Sequence, residues 1–140
     1  MIHVEIEEVF NASATKIWGL VGDFNGLGKI MPGVIQSRQE GEGVGSLRIL
    51  SLPQNLRAIE RLHALDPDQM KISYSVVESP MPVQNYLATM QVIPINQQTC
   101  RLKWFSDFEA NAGVPEEKAK RMIEKAYRSA IDGLNRAISL

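Results

Sequence analysis

Two glutamates stand where apolar residues belong. Glu60 lies mid-run in a segment whose even positions read Ala58, Glu60, Leu62 and Ala64, and Glu78 closes one reading Met70, Ile72, Tyr74, Val76 and Glu78. A carboxylate among Leu, Ile and Val is costly to bury alone, so it must be paired, hydrogen-bonded, protonated or wet. Kept inside an apolar site, Glu60 is a candidate general acid/base with its pKa raised by burial. Tyr74, Tyr86, Trp104 and Ser106 share the inward register, and either tyrosine could polarise a carbonyl. The other reading pairs Glu60 with Arg48 or Arg38 and turns Glu78 to water at a strand end.

Other constellations carry less chemistry. His3 and His63 fall on polar strand faces, which suits neither a base nor a ligand. No Cys/His grouping has zinc spacing, so no metal site is expected. Cys100 has no histidine partner and reads as a buried small residue. The glycines of GEGVGS precede no helix and read as a hairpin turn, not a phosphate loop. The charges of EEKAKR, from Glu116 to Arg121, read as a solvated helix face, and nothing resembles a hydrolase triad. No cofactor is expected.

The elements that must position these residues follow from periodicity. Residues 2–9 alternate as a strand, with Ile2, Val4 and Ile6 on one face. Asn11 and Ser13 offer helix N-caps, Ala14, Ile17, Trp18 and Val21 follow at helical spacing, and Gly22 suits a stop. A second short helix is expected over 25–31, ended by Pro32-Gly33. From there the period is two. Strands are expected over roughly 34–40 and 44–52, their faces unphased, and then over 56–65, 70–78, 84–95 and 100–109. In 84–95 Tyr86, Ala88, Met90 and Val92 point one way; in 100–109 Leu102, Trp104, Ser106 and Phe108 do. Such alternation means an antiparallel sheet with one buried face. After Pro115, Met122, Ile123, Ala126, Tyr127, Ala130, Ile131, Leu134 and Ile138 form a wide apolar stripe on a long helix. The expected fold is α+β, a curved antiparallel sheet of about seven strands wrapped around its C-terminal helix, with two short helices after strand 1.

Small residues at Ala58, Ala64 and Ala88 would leave space between sheet and helix, and an apolar pocket with a few convergent polar groups is how small-molecule sites are built. The segment ESPMPVQNY, with Pro80 and Pro82, would stay extended and out of the sheet, a semi-rigid flap over such a cavity. The chain of 140 residues suits a single domain. Its net charge of −1 with scattered Lys and Arg speaks against nucleic acid or an anionic membrane as the main partner. One cysteine, acids in MIHVEIEEVF where a signal peptide has lysines, and no apolar run near membrane-spanning length point to a cytoplasmic protein. A monomer or homodimer is expected, with nothing in the sequence choosing between them.

The element order, with VGDFNGLGKIMPG after the first helix, resembles the START/SRPBCC superfamily, the helix-grip fold whose bacterial members are often called polyketide cyclase/dehydrase-like. Within it, AIERLHALDPDQMKISYSVVESPMPVQNYLATMQV is similar to the corresponding run in plant abscisic-acid receptors. The resemblance implies that Glu60 matches a glutamate reaching ligand through water, Tyr86 a pocket-facing tyrosine and Tyr74 a pocket-lining phenylalanine. It also puts Ser51-Leu52-Pro53 at a gate loop and Met81-Pro82-Val83 at a latch. The gate is shortened, the latch His and Arg are missing, and no strand lysine awaits a carboxylate, so abscisic acid binding is not implied. The expectation is a protein that binds a hydrophobic small molecule (lipid, isoprenoid, aromatic or polyketide-like). Its contacts would be Glu60, Tyr74, Val76, Glu78, Met81, Pro82, Tyr86, Ala88, Met90, Trp104, Ser106, Met122, Ala126, Tyr127 and Ala130. The alternative is a polyketide cyclase or dehydratase using Glu60 as general acid/base.

Overall fold

Seven antiparallel strands form one sheet in a computed structural model that describes residues 1–139. They are β1 (Ile2–Phe10), β2 (Gln36–Glu40), β3 (Leu47–Ser51), β4 (Arg57–Asp66), β5 (Lys71–Glu78), β6 (Val83–Asn96) and β7 (Thr99–Ala110). Their order is β1-β7-β6-β5-β4-β3-β2, a meander from β2 to β7 closed by β1 against β7. Two short helices, α1 (Ala14–Val21) and α2 (Phe24–Ile30), connect β1 to β2, and α3 (Glu116–Ile138) ends the chain. This is the helix-grip arrangement, as the alternation and the apolar stripe require.

Local chemistry starts each helix. The Ser13 hydroxyl accepts from the Lys16 backbone N–H at 3.1 Å, and Asp23 Oδ1 from that of Gly26 at 3.1 Å. Both supply acceptors that first-turn amides otherwise lack. Glu116 and Glu117 sit in the first turn of α3, where the helix dipole favours negative charge. That helix buries Ala119, Ile123, Tyr127, Ala130, Ile131 and Leu134, and it packs chiefly on β1. Each large side chain so buried contributes about 1.5–3 kcal/mol. Of the two short helices, α1 packs on β6 and β7, and α2 on β2 and β3. No described helix is long and apolar enough to cross a membrane.

Two irregularities re-aim residues of β4 and β5. Ile59 pairs with Glu78 while Glu60 pairs with Val76, so Val77 is unmatched; Leu62 pairs with Tyr74 while Ala64 pairs with Ser73, so His63 is unmatched. An extra residue of this kind shifts every later side chain to the other face. Two expectations fail here for that reason. Glu78 does not point inward: it is exposed and meets Arg57, whose Nε donates to Oε2 at 2.6 Å. Ala64 is also exposed and leaves no internal space.

Candidate functional site

Every tyrosine of the chain meets in one place. Tyr74 on β5, Tyr86 on β6 and Tyr127 on α3 are buried, and the hydroxyls of Tyr86 and Tyr127 are hydrogen-bonded to each other. The Tyr74 hydroxyl and Ser106 Oγ border that of Tyr127. The Tyr86 ring lies 6.2 Å from that of Tyr74 and 5.6 Å from that of Phe108. The Tyr127 ring stacks on Trp104 with centroids 4.0 Å apart and planes 16° from parallel. Burial pushes all three phenols well above their ordinary range, so they stay protonated donors.

Strand geometry explains the convergence. Ala88 pairs with Tyr74 on one side and Ser106 on the other, so one transverse row carries tyrosine, alanine and serine. At the edge of this row β6 takes an extra residue between Gln84 and Leu87, with Asn85 at φ 54°, and Tyr86 is buried there. Two polar atoms of the cluster lack any partner: Trp104 Nε1, on a side chain 5% exposed, and Ser106 Oγ, fully buried. Unpaired buried polar groups are rare and costly, which sets these two atoms apart from the satisfied hydroxyls of Tyr86 and Tyr127.

A cavity of about 240 Å³ opens onto the cluster, lined by Met31, Pro32, Tyr74, Trp104, Ala126, Tyr127, Ser129 and Ala130. A second hollow of about 330 Å³ adjoins it across Ala126 and Ser129, with Met81, Met122 and Lys125 as its other walls. Gly133 sets the lip, because a Cβ there would come within 2.9 Å of the Ile30 carbonyl oxygen and of Pro32 Cδ. A larger hollow of about 670 Å³, along the last turns of α3, meets the cavity at Pro32 and is lined by Ile30 and Gly133, and none of the clustered hydroxyls lines it.

Beside the tyrosines runs a buried ion pair. Arg48 Nε and Nη2 donate to Glu60 Oε1 at 3.0 and 2.6 Å, and Nη1 donates to the Phe24 carbonyl at 2.7 Å. The Arg48 guanidinium also lies over the Phe24 ring at 4.2 Å and the Tyr74 ring at 5.2 Å. Glu60 therefore points at Arg48 and lines neither hollow, contrary to the expectation of a cavity carboxylate. The salt-bridge alternative is the one that forms, and it ties α2 to β3 and β4.

The other expected contacts divide three ways. Tyr74, Trp104, Ala126, Tyr127 and Ala130 line the cavity, Met81 and Met122 line the adjoining hollow, and Tyr86, Ser106 and Ala88 stand behind the wall. Val76 is half-buried opposite Glu60, and Pro82 is tied down by its carbonyl, which accepts from the Asn111 N–H at 3.0 Å. Met90 is wholly buried in the core and lines neither hollow. Of the two expected entrance loops, only the one bearing Met81 borders the site; Ser51, Leu52 and Pro53 do not. Met31, Pro32 and Ser129 were missed, as was the firm role of Arg48. The VGDFNGLGKIMPG signature is the one signal that pointed toward Met31 and Pro32. Among the described residues, no three His, Cys, Asp or Glu side chains gather as metal ligands would.

A curved sheet gripping a C-terminal helix around a small apolar cavity defines the helix-grip class. The sequence model described as polyketide cyclase/dehydrase and lipid transport matches residues 1–139, and the chain belongs to that family. Among solved structures it is similar to an uncharacterized protein from Bacillus thuringiensis, at 28% identity over 97% of this chain and 98% of the other, with a TM-score of 0.88. It shares the fold of the ZhuI aromatase/cyclase of Streptomyces sp. R1128, at 22% identity, 96% and 89% coverage and a TM-score of 0.76. Norcoclaurine synthase of Thalictrum flavum, in complex with dopamine and hydroxybenzaldehyde, matches at 17% identity, 98% and 86% coverage and a TM-score of 0.73. No curated protein matches the chain by sequence.

Proposed function

We propose that the protein binds a small hydrophobic molecule, aromatic or polyketide-like, in the cavity between the sheet and α3. One observation carries this reading: an apolar cavity opens beside two buried polar atoms, Trp104 Nε1 and Ser106 Oγ, that have no partner of their own. Membership of a family that spans cyclases and lipid transport supports the same class of ligand. Met31, Met81 and Met122 around the opening suit variable ligand shapes, since an unbranched thioether repacks easily.

Binding is favoured over catalysis by what the cavity lacks. Glu60 is engaged by Arg48, and the tyrosines that border the cavity hold their protons too tightly to act as bases near neutral pH. The reading is tested by native mass spectrometry of protein isolated from its own cells. A carrier yields a mass adduct that is released unchanged by denaturation, and Glu60→Gln retains it. Turnover of a polyketide-like substrate, abolished by Glu60→Gln, would overturn the preference for binding. Absence of any adduct, together with no saturable binding of an uncharged hydrophobic dye such as Nile red, would remove the cavity reading altogether.

A further inference from the structure

We propose that Tyr127 stands in for the ligand: its phenol ring occupies the recognition position on Trp104, and the natural occupant is a neutral hydroxyaryl or aryl ketone that displaces it. The proposal rests on the cavity reading just given and names the chemical class it takes. A ligand recognised here needs a flat face for the Trp104 indole and an oxygen for the surrounding hydroxyls. Tyr127 already meets both demands, stacking at 4.0 Å and bonding through its hydroxyl to Tyr86.

Tyr127 meets them incompletely. A single phenol leaves Trp104 Nε1 without a partner. A larger ring system with an acceptor oxygen can reach donors that the tethered side chain cannot. Size points the same way: about 240 Å³ is below the roughly 300–1,000 Å³ of sites for drug-sized ligands. Moving the Tyr127 ring outward would enlarge it, and its neighbours Ala126, Ser129 and Ala130 are small, with the Met81–Met122 hollow beyond.

Charge sets the class. The one buried cation among the described residues, Arg48, is committed to Glu60 and the Phe24 carbonyl, and Lys125 stands outside in the adjoining hollow. A carboxylate seated on Trp104 would be desolvated without a counter-charge, whereas a phenol or ketone meets only hydrogen-bond donors and acceptors.

The test uses 2-naphthol, naphthalene and 2-naphthoate with the full chain. Affinities come from calorimetry, and the Trp104 indole N–H is followed by NMR in a Trp18→Phe background, which leaves one tryptophan of the two. The proposal expects 2-naphthol to bind about tenfold tighter than the other two and to move the Trp104 N–H signal downfield. Tyr127→Ala should tighten 2-naphthol binding by about tenfold, because no ring need be displaced. Tyr127→Phe should tighten it by a smaller factor, and it decides the matter if the alanine variant fails to fold. Equal affinity for naphthalene or naphthoate, or weaker naphthol binding in either Tyr127 variant, overturns the proposal but keeps a hydrophobic cavity. No binding of any probe overturns it too, and the cavity reading falls with it only if the native protein also carries no adduct.

Discussion

One oxygen of Glu60 takes two hydrogen bonds from Arg48, at 2.6 and 3.0 Å, while the other has no partner among the described residues. The two side chains are only 6% and 16% exposed. Their attraction is therefore offset by a large desolvation cost, and removing one partner should hurt more than removing both. Arg48→Met is expected to destabilise the fold by about 2–3 kcal/mol, below the roughly 3–5 of a fully buried pair because Glu60 keeps some water. Arg48→Met/Glu60→Leu should recover most of that loss. Urea denaturation of the three proteins measures it, and a double variant less stable than the single would refute the account.

The three tyrosines give a spectroscopic prediction. Burial raises each phenol, so none should ionise in the folded protein near pH 10. A group whose pKa is raised by folding adds stability that is complete below its unfolded value and fades as pH climbs through the folded one. Stability should thus fall from about pH 10 upward. Phenolate absorbance should appear in a single step coincident with unfolding followed by circular dichroism. A separate tyrosine step in the folded protein would mean that the cluster is open to water.

At the other edge of the sheet the sign is the same but the range differs. The hydrogen bond from His3 Nδ1 to Asp107, at 2.9 Å across β1 and β7, raises the His3 pKa above 6.5, with Glu5 adding to it. The imidazolium pair therefore contributes below pH 6.5 and is lost as pH rises through the folded value. Both side chains are half exposed, which limits the effect to under about 1 kcal/mol. Urea midpoints at pH 5.5 and 8.5 should differ in the wild type by more than in His3→Gln. Identical differences would show that the pair adds nothing.

Alternation was enough to place Trp104, Ser106, Tyr86 and Tyr74 on one buried surface, because Trp104 and Ser106 keep an unbroken register with β6, the irregularity of β5 comes after Tyr74, and Tyr86 keeps parity with Ala88 and Met90 beside that of β6. It misplaced Glu78 and Ala64 because an unmatched Val77 and an unmatched His63 lie between them and the phased part of each strand. Neither residue type announces a bulge. The partner of Glu60 was visible only as one of two arginines, since β3 is five residues long and its face could not be phased. Met31, Pro32 and Ser129 reach the cavity through a loop and a helix flank, where no periodicity speaks for them.

Gly133 offers a test of how the lip is held. Alanine in a helix is normally favoured over glycine by up to about 1 kcal/mol. Here the added carbon would press on the Ile30 carbonyl oxygen and Pro32, each at 2.9 Å, and backbone must move. Gly133→Ala is expected to destabilise by about 1–2 kcal/mol, as overpacking does, and to shift the amide signals of residues 31–34. A stabilised variant with unchanged signals would show that the loop rides loosely on α3.

Ala126 separates the cavity from the fold most cleanly. It is exposed on α3 yet forms a wall of both the 240 Å³ cavity and the 330 Å³ hollow beside it. A tryptophan there has open space to enter and no core neighbour to displace, so stability should change by no more than about 0.5 kcal/mol. Its indole would fill the path between Met81 and the tyrosine cluster, and affinity for 2-naphthol or a co-purified ligand should fall by at least about tenfold. Arg121→Trp, an exposed residue of the same helix that lines neither hollow, controls for added surface aromaticity. Calorimetric titration and thermal unfolding of both variants decide the matter. Full binding by Ala126→Trp would place the ligand somewhere other than between Trp104 and α3, whereas selective loss ties the small residues of this helix flank to the ligand and not to packing.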